Sequence, residues 1–155
     1  MSKTVIDCFD GEYGFLSNFH ECTIKYNGIT YRSSEAAFQA QKTTDKHDRY
    51  EISKMKPGQS KRACSKNGIK GFKITLREDW DKIKDDVMYK VVLAKFTQNK
   101  HLKNMLLNTG DAELIEGTKW HDNYWGNCTC MMCSMIEGKN TLGKILMRVR
   151  EELRS

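Results

Sequence analysis

The chain has 155 residues, of which 39% are hydrophobic and 30% charged, which suits one soluble globular domain and excludes an apolar-poor disordered tail. Lys and Arg number 26 against 20 Asp and Glu, and the resulting +6 favours anionic ligands such as phosphate esters without requiring a polynucleotide. No apolar run approaches the length of a bilayer crossing, which excludes an integral membrane protein. The opening Met1 to Asp7 turns acidic without an apolar leader, so a cytoplasmic location is expected and the six cysteines are expected to be reduced.

In chain order, Val5 to Phe9 reads as a short strand ended by Asp10-Gly11. Gly14 to Phe19 fits no periodic template and is a candidate binding loop, or else a segment of core aromatics. Cys22 to Tyr26 and Gly28 to Tyr31 meet across Asn27-Gly28, a pair that tolerates positive φ and predicts a hairpin. Ser33 and Ser34 can cap a helix carrying Glu35 to Lys42. Lys56-Pro57-Gly58 resets the chain before a short helix around Gln59 to Ser65, stopped at Asn67-Gly68. Thr75-Leu76-Arg77-Glu78 has capping-box form and opens the longest helical stretch, whose stripe of Ile83, Val87, Val91 and Ala94, widened by Tyr89, Val92 and Phe96, predicts the central core helix.

A further helix carries Leu102, Met105 and Leu106 and should stop at Thr109-Gly110. Ala112 to Glu116 is ambiguous between strand and turn. Asn140 can cap a last amphipathic helix with Leu142, Ile145, Leu146, Val149 and Leu153 on one stripe. The fold class is mainly α with a small N-terminal β element, α+β, in one compact domain over residues 1–155, without internal repeats or linkers.

Three constellations can carry chemistry. At helical spacing Glu35, Phe38, Gln39 and Lys42 share one side, while Ala36, Ala37 and Ala40 offer a low opposite side for close packing. Solvated surface charge is the ordinary reading of such a Glu and Lys, but Phe38 between them suits the floor of a pocket. Lys119-Trp120-His121-Asp122-Asn123-Tyr124-Trp125-Gly126 packs aromatics beside polar groups, a combination that can stack a planar heterocycle and read its edge; a buried aromatic loop is the plainer reading.

In Cys128-Thr129-Cys130-Met131-Met132-Cys133 the Cys-x-x-Cys step fits zinc or redox chemistry, and His121 could complete a four-ligand site. Structural zinc sites usually present two separated ligand pairs, so no metal is expected and the thiols are read as spectators. Cys8, Cys22 and Cys64 are expected to be buried as small hydrophobes. Walker, dinucleotide-fingerprint and nucleophile-elbow motifs are absent. Lys54, Lys56, Lys61, Arg62, Lys66, Lys70 and Lys73 form either a solvated face or a phosphate-contacting patch.

Phe15-Leu16-Ser17-Asn18-Phe19, the block from Ser33 to Lys42, Lys95-Phe96, Leu106 to Gly110, Asp122 to Gly126, and Gly138-Lys139-Asn140-Thr141-Leu142-Gly143 with Met147 and Arg150 follow one another in an order that resembles the YbiA/NADAR family. The resemblance runs through nearly the whole chain. It implies a compact, mainly helical domain and an N-glycosidase without cofactor, cleaving the C–N bond between ribose and a base-like amine. Two substrates are implied: ribosylamino-pyrimidine phosphates of early riboflavin biosynthesis, or ADP-ribosylated guanine in nucleic acid.

By motif position, Glu35, Lys42, Trp80, Asp122 and Trp125 fall where the family's active-site residues lie. Glu35 or Asp122 would stabilise positive charge on the sugar or deprotonate water, and Lys42, if neutral, would form a Schiff base with the opened ribosylamine. Trp80 and Trp125 would sandwich the base, with Phe19, Phe38, Gln39 and Tyr124 lining the pocket and Asn18 or Arg62 holding sugar hydroxyl or phosphate. Ala36 stands where the family often has His, and Cys128 to Cys133 lies outside its pattern. The competing expectation is a noncatalytic nucleotide or nucleic-acid binding module, and a third is a small zinc-stabilised interaction domain.

Overall fold

Residues 4–154 are described by a computed structural model and run in the order β1 (Val5–Ile6), a 3-10 turn (Gly11–Leu16), β2 (Glu21–Tyr26), β3 (Ile29–Ser33), α1 (Ser34–Ala40), α2 (Lys46–Ser53), α3 (Pro57–Ala63), α4 (Trp80–Gln98), α5 (Lys100–Leu107), β4 (Glu113–Leu114), β5 (Gly117–Thr118), β6 (Asn127–Cys128), a second 3-10 turn (Met131–Cys133) and α6 (Thr141–Leu153). Helices dominate short strand pairs, the α+β class expected from the pattern. Met1, Ser2 and Lys3, the first residues of the opening segment Met1 to Asp7, and Ser155 lie outside the described residues. None of the described helices is long and apolar enough to cross a membrane. Two compact units form, one from residues 18–100 and one from 4–17 with 101–154.

In the unit of residues 18–100, Asn27 and Gly28 hold φ of 49° and 84° and turn β2 antiparallel onto β3, as a two-residue loop with positive φ at both positions should. Strand β3 runs directly into α1, whose start is fixed by Ser33: its hydroxyl accepts the Ala36 N–H at 3.0 Å. All seven residues of α1 are buried, and α2, α3, α4 and both strands pack against it. The alanines allow that approach, because a helix surface of methyl groups brings neighbouring backbones close. Its complete burial makes α1, rather than the longer α4, the central helix of this unit.

Helix α4 starts later than its capping-box pattern predicts. The Arg77 N–H donates to the Lys42 carbonyl at 2.8 Å, which holds residues 75–79 extended or turned, and the helix begins at Trp80. Its buried residues include Val87, Met88, Val91, Val92, Lys95 and Phe96, while Ile83, Tyr89 and Ala94 are only half-buried, so the packed stripe lies partly around the helix from the expected one. Helix α2 was not foreseen, having little apolar periodicity; it is capped by Asp45, whose carboxylate accepts the Asp48 N–H at 2.9 Å.

In the other unit, β1 pairs in parallel with β4, matching Val5 to Glu113 and Ile6 to Leu114, and β5 pairs in parallel with β6. Of the ambiguous Ala112 to Glu116 segment, only Glu113 and Leu114 are strand. Helix α6 packs on β4 through its buried Leu142, Ile145, Leu146 and Val149. Asn140 precedes α6 in the left-handed region at φ 51° but makes no side-chain cap there; instead its amide accepts the Glu116 N–H and donates to the Leu114 carbonyl, both at 2.9 Å. Cys64 is buried as expected, whereas Cys22 in β2 is half-buried and Cys8, beyond the end of the two-residue β1, is exposed.

Gly143 faces the same carbonyl from α6, and a Cβ there would run into the Leu114 oxygen and the Asn140 amide. Gly143→Ala should therefore destabilise the fold by about 1–3 kcal/mol, the usual cost of overpacking. Gly14→Ala, where a Cβ meets nothing within 4 Å, should stay within about 0.5 kcal/mol of the parent in a denaturant titration.

Candidate active site

Burial of α1 carries polar side chains inward. Glu35 is 7% exposed and Gln39 4%, an environment that a carboxylate or amide tolerates only with partners. One turn apart, they bond: Gln39 Nε2 donates to Glu35 Oε1 at 2.9 Å. Gln39 Oε1 is buried with no hydrogen-bond partner among the described residues. Buried amide oxygens are seldom left so, and this one can accept an N–H or O–H from a ligand.

The chain keeps turning past the helix. The Gln41 and Lys42 N–H groups donate to the Phe38 and Gln39 carbonyls, both at 3.1 Å, so Lys42 follows Glu35 two turns further on. The Arg77 bond to the Lys42 carbonyl draws the start of α4 against this turn, and Trp80 packs on Phe38 with ring centroids 5.1 Å apart and planes tilted by 56°. Five expected site residues, Glu35, Phe38, Gln39, Lys42 and Trp80, are thus held by α1 and the segment that leads into α4.

Burial pushes the Lys42 amine below the ordinary lysine range. Cys64, Glu35, Lys61 and Lys84 modulate it. Burial also drives the Cys64 thiol up to about 12, so at neutral pH it is uncharged and offers no counter-charge. That leaves Glu35 favouring the protonated amine, opposed by Lys61 and Lys84.

Lys61, which the sequence shows only as one member of a lysine cluster, also acts on this amine. It sits in the last turn of α3, its ammonium 5.8 Å from the centre of the Phe19 ring, which is 46% exposed. Arg62 and Phe19 both flank Gly58 on the same helix, giving an aromatic surface edged by two cations. The signal that could have found Lys61 is Pro57 at the first helical turn, which sets the register of the following Lys-Arg pair.

Asn18 is used differently from its expected part in sugar binding. Its Oδ1 accepts the Ser34 hydroxyl at 2.8 Å, its Nδ2 lies 3.4 Å from the Met88 sulfur, and its carbonyl accepts the Glu35 N–H at 3.0 Å. It anchors the start of α1.

In the other unit, Asp122 Oδ1 accepts the Tyr124 and Trp125 N–H groups at 3.1 and 3.0 Å, folding the aromatic segment into a tight turn. Tyr124 and Trp125 meet edge to face, 4.9 Å between centroids, and Lys139 lies 5.1 Å over the Tyr124 ring. Asn123 Oδ1 accepts the Cys128 N–H at 2.8 Å, tying this turn to the cysteine segment. There the three thiols gather around His121, with the four side-chain donor atoms all within 4.8 Å of one another.

The NADAR domain family matches residues 8–154, and the chain belongs to that family, as its motif order suggested. Among relatives, N-glycosidase YbiA of Escherichia coli K12 is 38% identical over 155 residues, spanning 99% of this chain and 91% of its own length. The NMR structure of E. coli YbiA matches with a TM-score of 0.80 at 37% identity, covering 99% of this chain and 87% of that one. A riboflavin biosynthesis protein of Vibrio vulnificus is 37% identical over 144 residues, which are 93% of this chain and 36% of that protein.

The charge balance at Lys42 can be read by its pH-dependent carbamylation, followed by peptide mass analysis. The reactive neutral amine should appear with a midpoint below 10.5. Removing the favourable carboxylate in Glu35→Gln should move that midpoint to lower pH, and removing an opposing cation in Lys61→Ala should move it to higher pH.

Proposed function

We infer that the chain is an N-glycosidase that hydrolyses the C–N bond between ribose and a base-like amine, with Glu35 and Lys42 as its reacting groups. The observation that carries this reading is Glu35 buried on α1 and Lys42 half-buried in the turn just after it, the amine held low by burial. The curated names of the relatives, N-glycosidase and riboflavin biosynthesis protein, support it.

A ribosylamine in its opened form presents an imine at C1. The neutral Lys42 Nζ adds there, its two protons pass to the nitrogen of the base-like amine, and the C–N bond breaks to release that amine, leaving a Schiff base between C1 and Nζ. Water then adds to C1, with Glu35 taking one proton and returning it to Nζ while the other passes from the new hydroxyl to Nζ, and the C–Nζ bond breaks to release the sugar as its aldehyde and regenerate the lysine and the carboxylate. Hydrolysis needs no co-reactant beyond water. In the alternative without an adduct, Glu35 deprotonates water for direct attack while the carboxylate offsets the positive charge developing on the sugar.

Gln39 Oε1 is placed to accept a hydrogen bond from a substrate hydroxyl or amine. Lys61 and Arg62 supply the charge for a phosphate, which explains the +6 better than a polynucleotide does. Trp80 with Phe38 offers aromatic surface for the base; in the other unit Tyr124 and Trp125 meet edge to face on the turn that Asp122 shapes. The favoured substrate is a ribosylamino-pyrimidine phosphate; the whole chain acts as one catalytic domain, in the cytoplasm.

Separate incubation with a ribosylamino-pyrimidine phosphate and with ADP-ribosylated guanine DNA should release ribose phosphate from the first. Restored guanine in the second would assign the ADP-ribosyl substrate instead, and salt-sensitive binding of either without turnover would leave a binding module. Glu35→Gln should lower kcat by about 10²–10⁴-fold and Lys42→Arg by at least as much. Borohydride during turnover should trap an adduct on the peptide bearing Lys42; an active enzyme that gives none would leave only direct attack by water.

A further inference from the structure

The segment from Cys128 to Ile136 is built inside out. Met131, Met132 and Met135 are 90%, 83% and 95% exposed, and Ile136 is also exposed, while Cys128 and Cys133 are buried. With these methionines and Ile136 in solvent, the segment builds no apolar core of its own around the thiols. The three sulfurs are therefore not filling a core, and something other than apolar contact gathers them.

Their common neighbour is His121. It stands in the left-handed region at φ 66°, an unusual backbone for a residue with a Cβ, and this turns the imidazole back onto the later cysteines. His121 Nδ1 lies 3.3 Å from Cys133 Sγ and 3.4 Å from Cys130 Sγ, and its N–H donates to Cys128 Sγ at 3.3 Å. A tetrahedral zinc ion, with arms of about 2.3 Å to sulfur and about 2.0 Å to nitrogen, separates its sulfurs by about 3.8 Å and its nitrogen from each sulfur by about 3.5 Å. The four donors here, all within 4.8 Å, need only small side-chain adjustments to reach that shape.

A disulfide explains less. It would join two sulfurs and leave the third, together with His121, without a role.

We propose that His121 Nδ1 and the sulfurs of Cys128, Cys130 and Cys133 bind one zinc ion, a closed four-ligand structural site that staples the loop carrying Asp122, Tyr124 and Trp125 to the cysteine segment. Three thiols give up their protons to solvent on binding and the imidazole is neutral, so ion and ligands together carry a charge of −1. With its fourth position taken by protein, such an ion has no place for a reacting water and acts on the fold. The supporting shell is already present: the His121 N–H on Cys128 Sγ, and Asn123 Oδ1 holding the Cys128 N–H, orient the ligands as outer partners of metal sites do.

The test is elemental analysis of the untagged protein purified under reducing conditions without chelator, with cobalt(II) titration of the apoprotein. One zinc per chain is expected, and cobalt should give the visible bands of a tetrahedral thiolate site. Cys130→Ser and Cys133→Ser should lower zinc content by about tenfold or more, Cys22→Ser should retain it, and His121→Cys should restore a four-ligand set and hold zinc. Because the cobalt spectrum is read on the unaltered chain, variants that fail to fold do not decide the matter. Zinc well below stoichiometry together with no tetrahedral cobalt spectrum would overturn the proposal, as would a disulfide among these cysteines in the freshly purified protein. All of these readouts are independent of glycosidase turnover.

Discussion

The constraint on which the 18–100 unit depends is the burial of a helix that carries charge. A carboxylate taken out of water costs several kcal/mol unless hydrogen bonds replace its hydration. Glu35 receives such a bond from Gln39 of its own helix, so α1 brings its own compensation with it. The three alanines then let five elements close around it. Both ends of α1 are tied by longer-range polar bonds, Asn18 to Ser34 and Glu35 at the start and the Arg77 N–H to the Lys42 carbonyl just past the end. These fix the carboxylate on α1 and the amine on the turn that follows it, which gives a reacting pair its precision.

The electrostatics follow from the same burial. Low polarizability around Lys42 favours the neutral amine, Glu35 opposes that, and Lys61 and Lys84 tip the balance back. Lys61 is also the cation over Phe19 at the exposed edge, so a single side chain links the tuning of the amine to the surface suited to a phosphate. In the other unit the organising contacts are to backbone: Asn140 and Gly143 both close on the Leu114 carbonyl, and Asp122 folds its own loop. Within the Gly-x-Asn-x-Leu-Gly run, Gly138, Asn140 and Gly143 each meet backbone at close range, while Leu142 is buried in the core.

The elements legible in the sequence are those with a local cause. The hairpin follows from Asn27-Gly28, the start of α1 from Ser33, and α6 from its apolar stripe. What escaped has a non-local cause. Helix α2 lacks periodicity and is held by its cap and by packing. The capping box at Thr75 was overridden by the Arg77 bond to Lys42, 35 positions away in sequence. Asn18 reads as a sugar ligand until its amide is seen bonded to Ser34, and Asn140 reads as a cap until it is seen pinning β4.

By itself the sequence determined the class of fold, the family, and the presence of Glu35 and Lys42 two turns apart, because helical periodicity and motif order are properties of neighbouring residues. Tertiary structure decided that Glu35 lies inside the protein with Lys42 half-buried after it, that Gln39 offers an unpartnered oxygen on the same helix as Glu35, and that Lys61 acts on Lys42. It also turned His121 back onto Cys128, Cys130 and Cys133 through one left-handed residue. Burial and the spacing of ligand atoms depend on where distant segments cross, and linear spacing along a chain carries no record of those crossings.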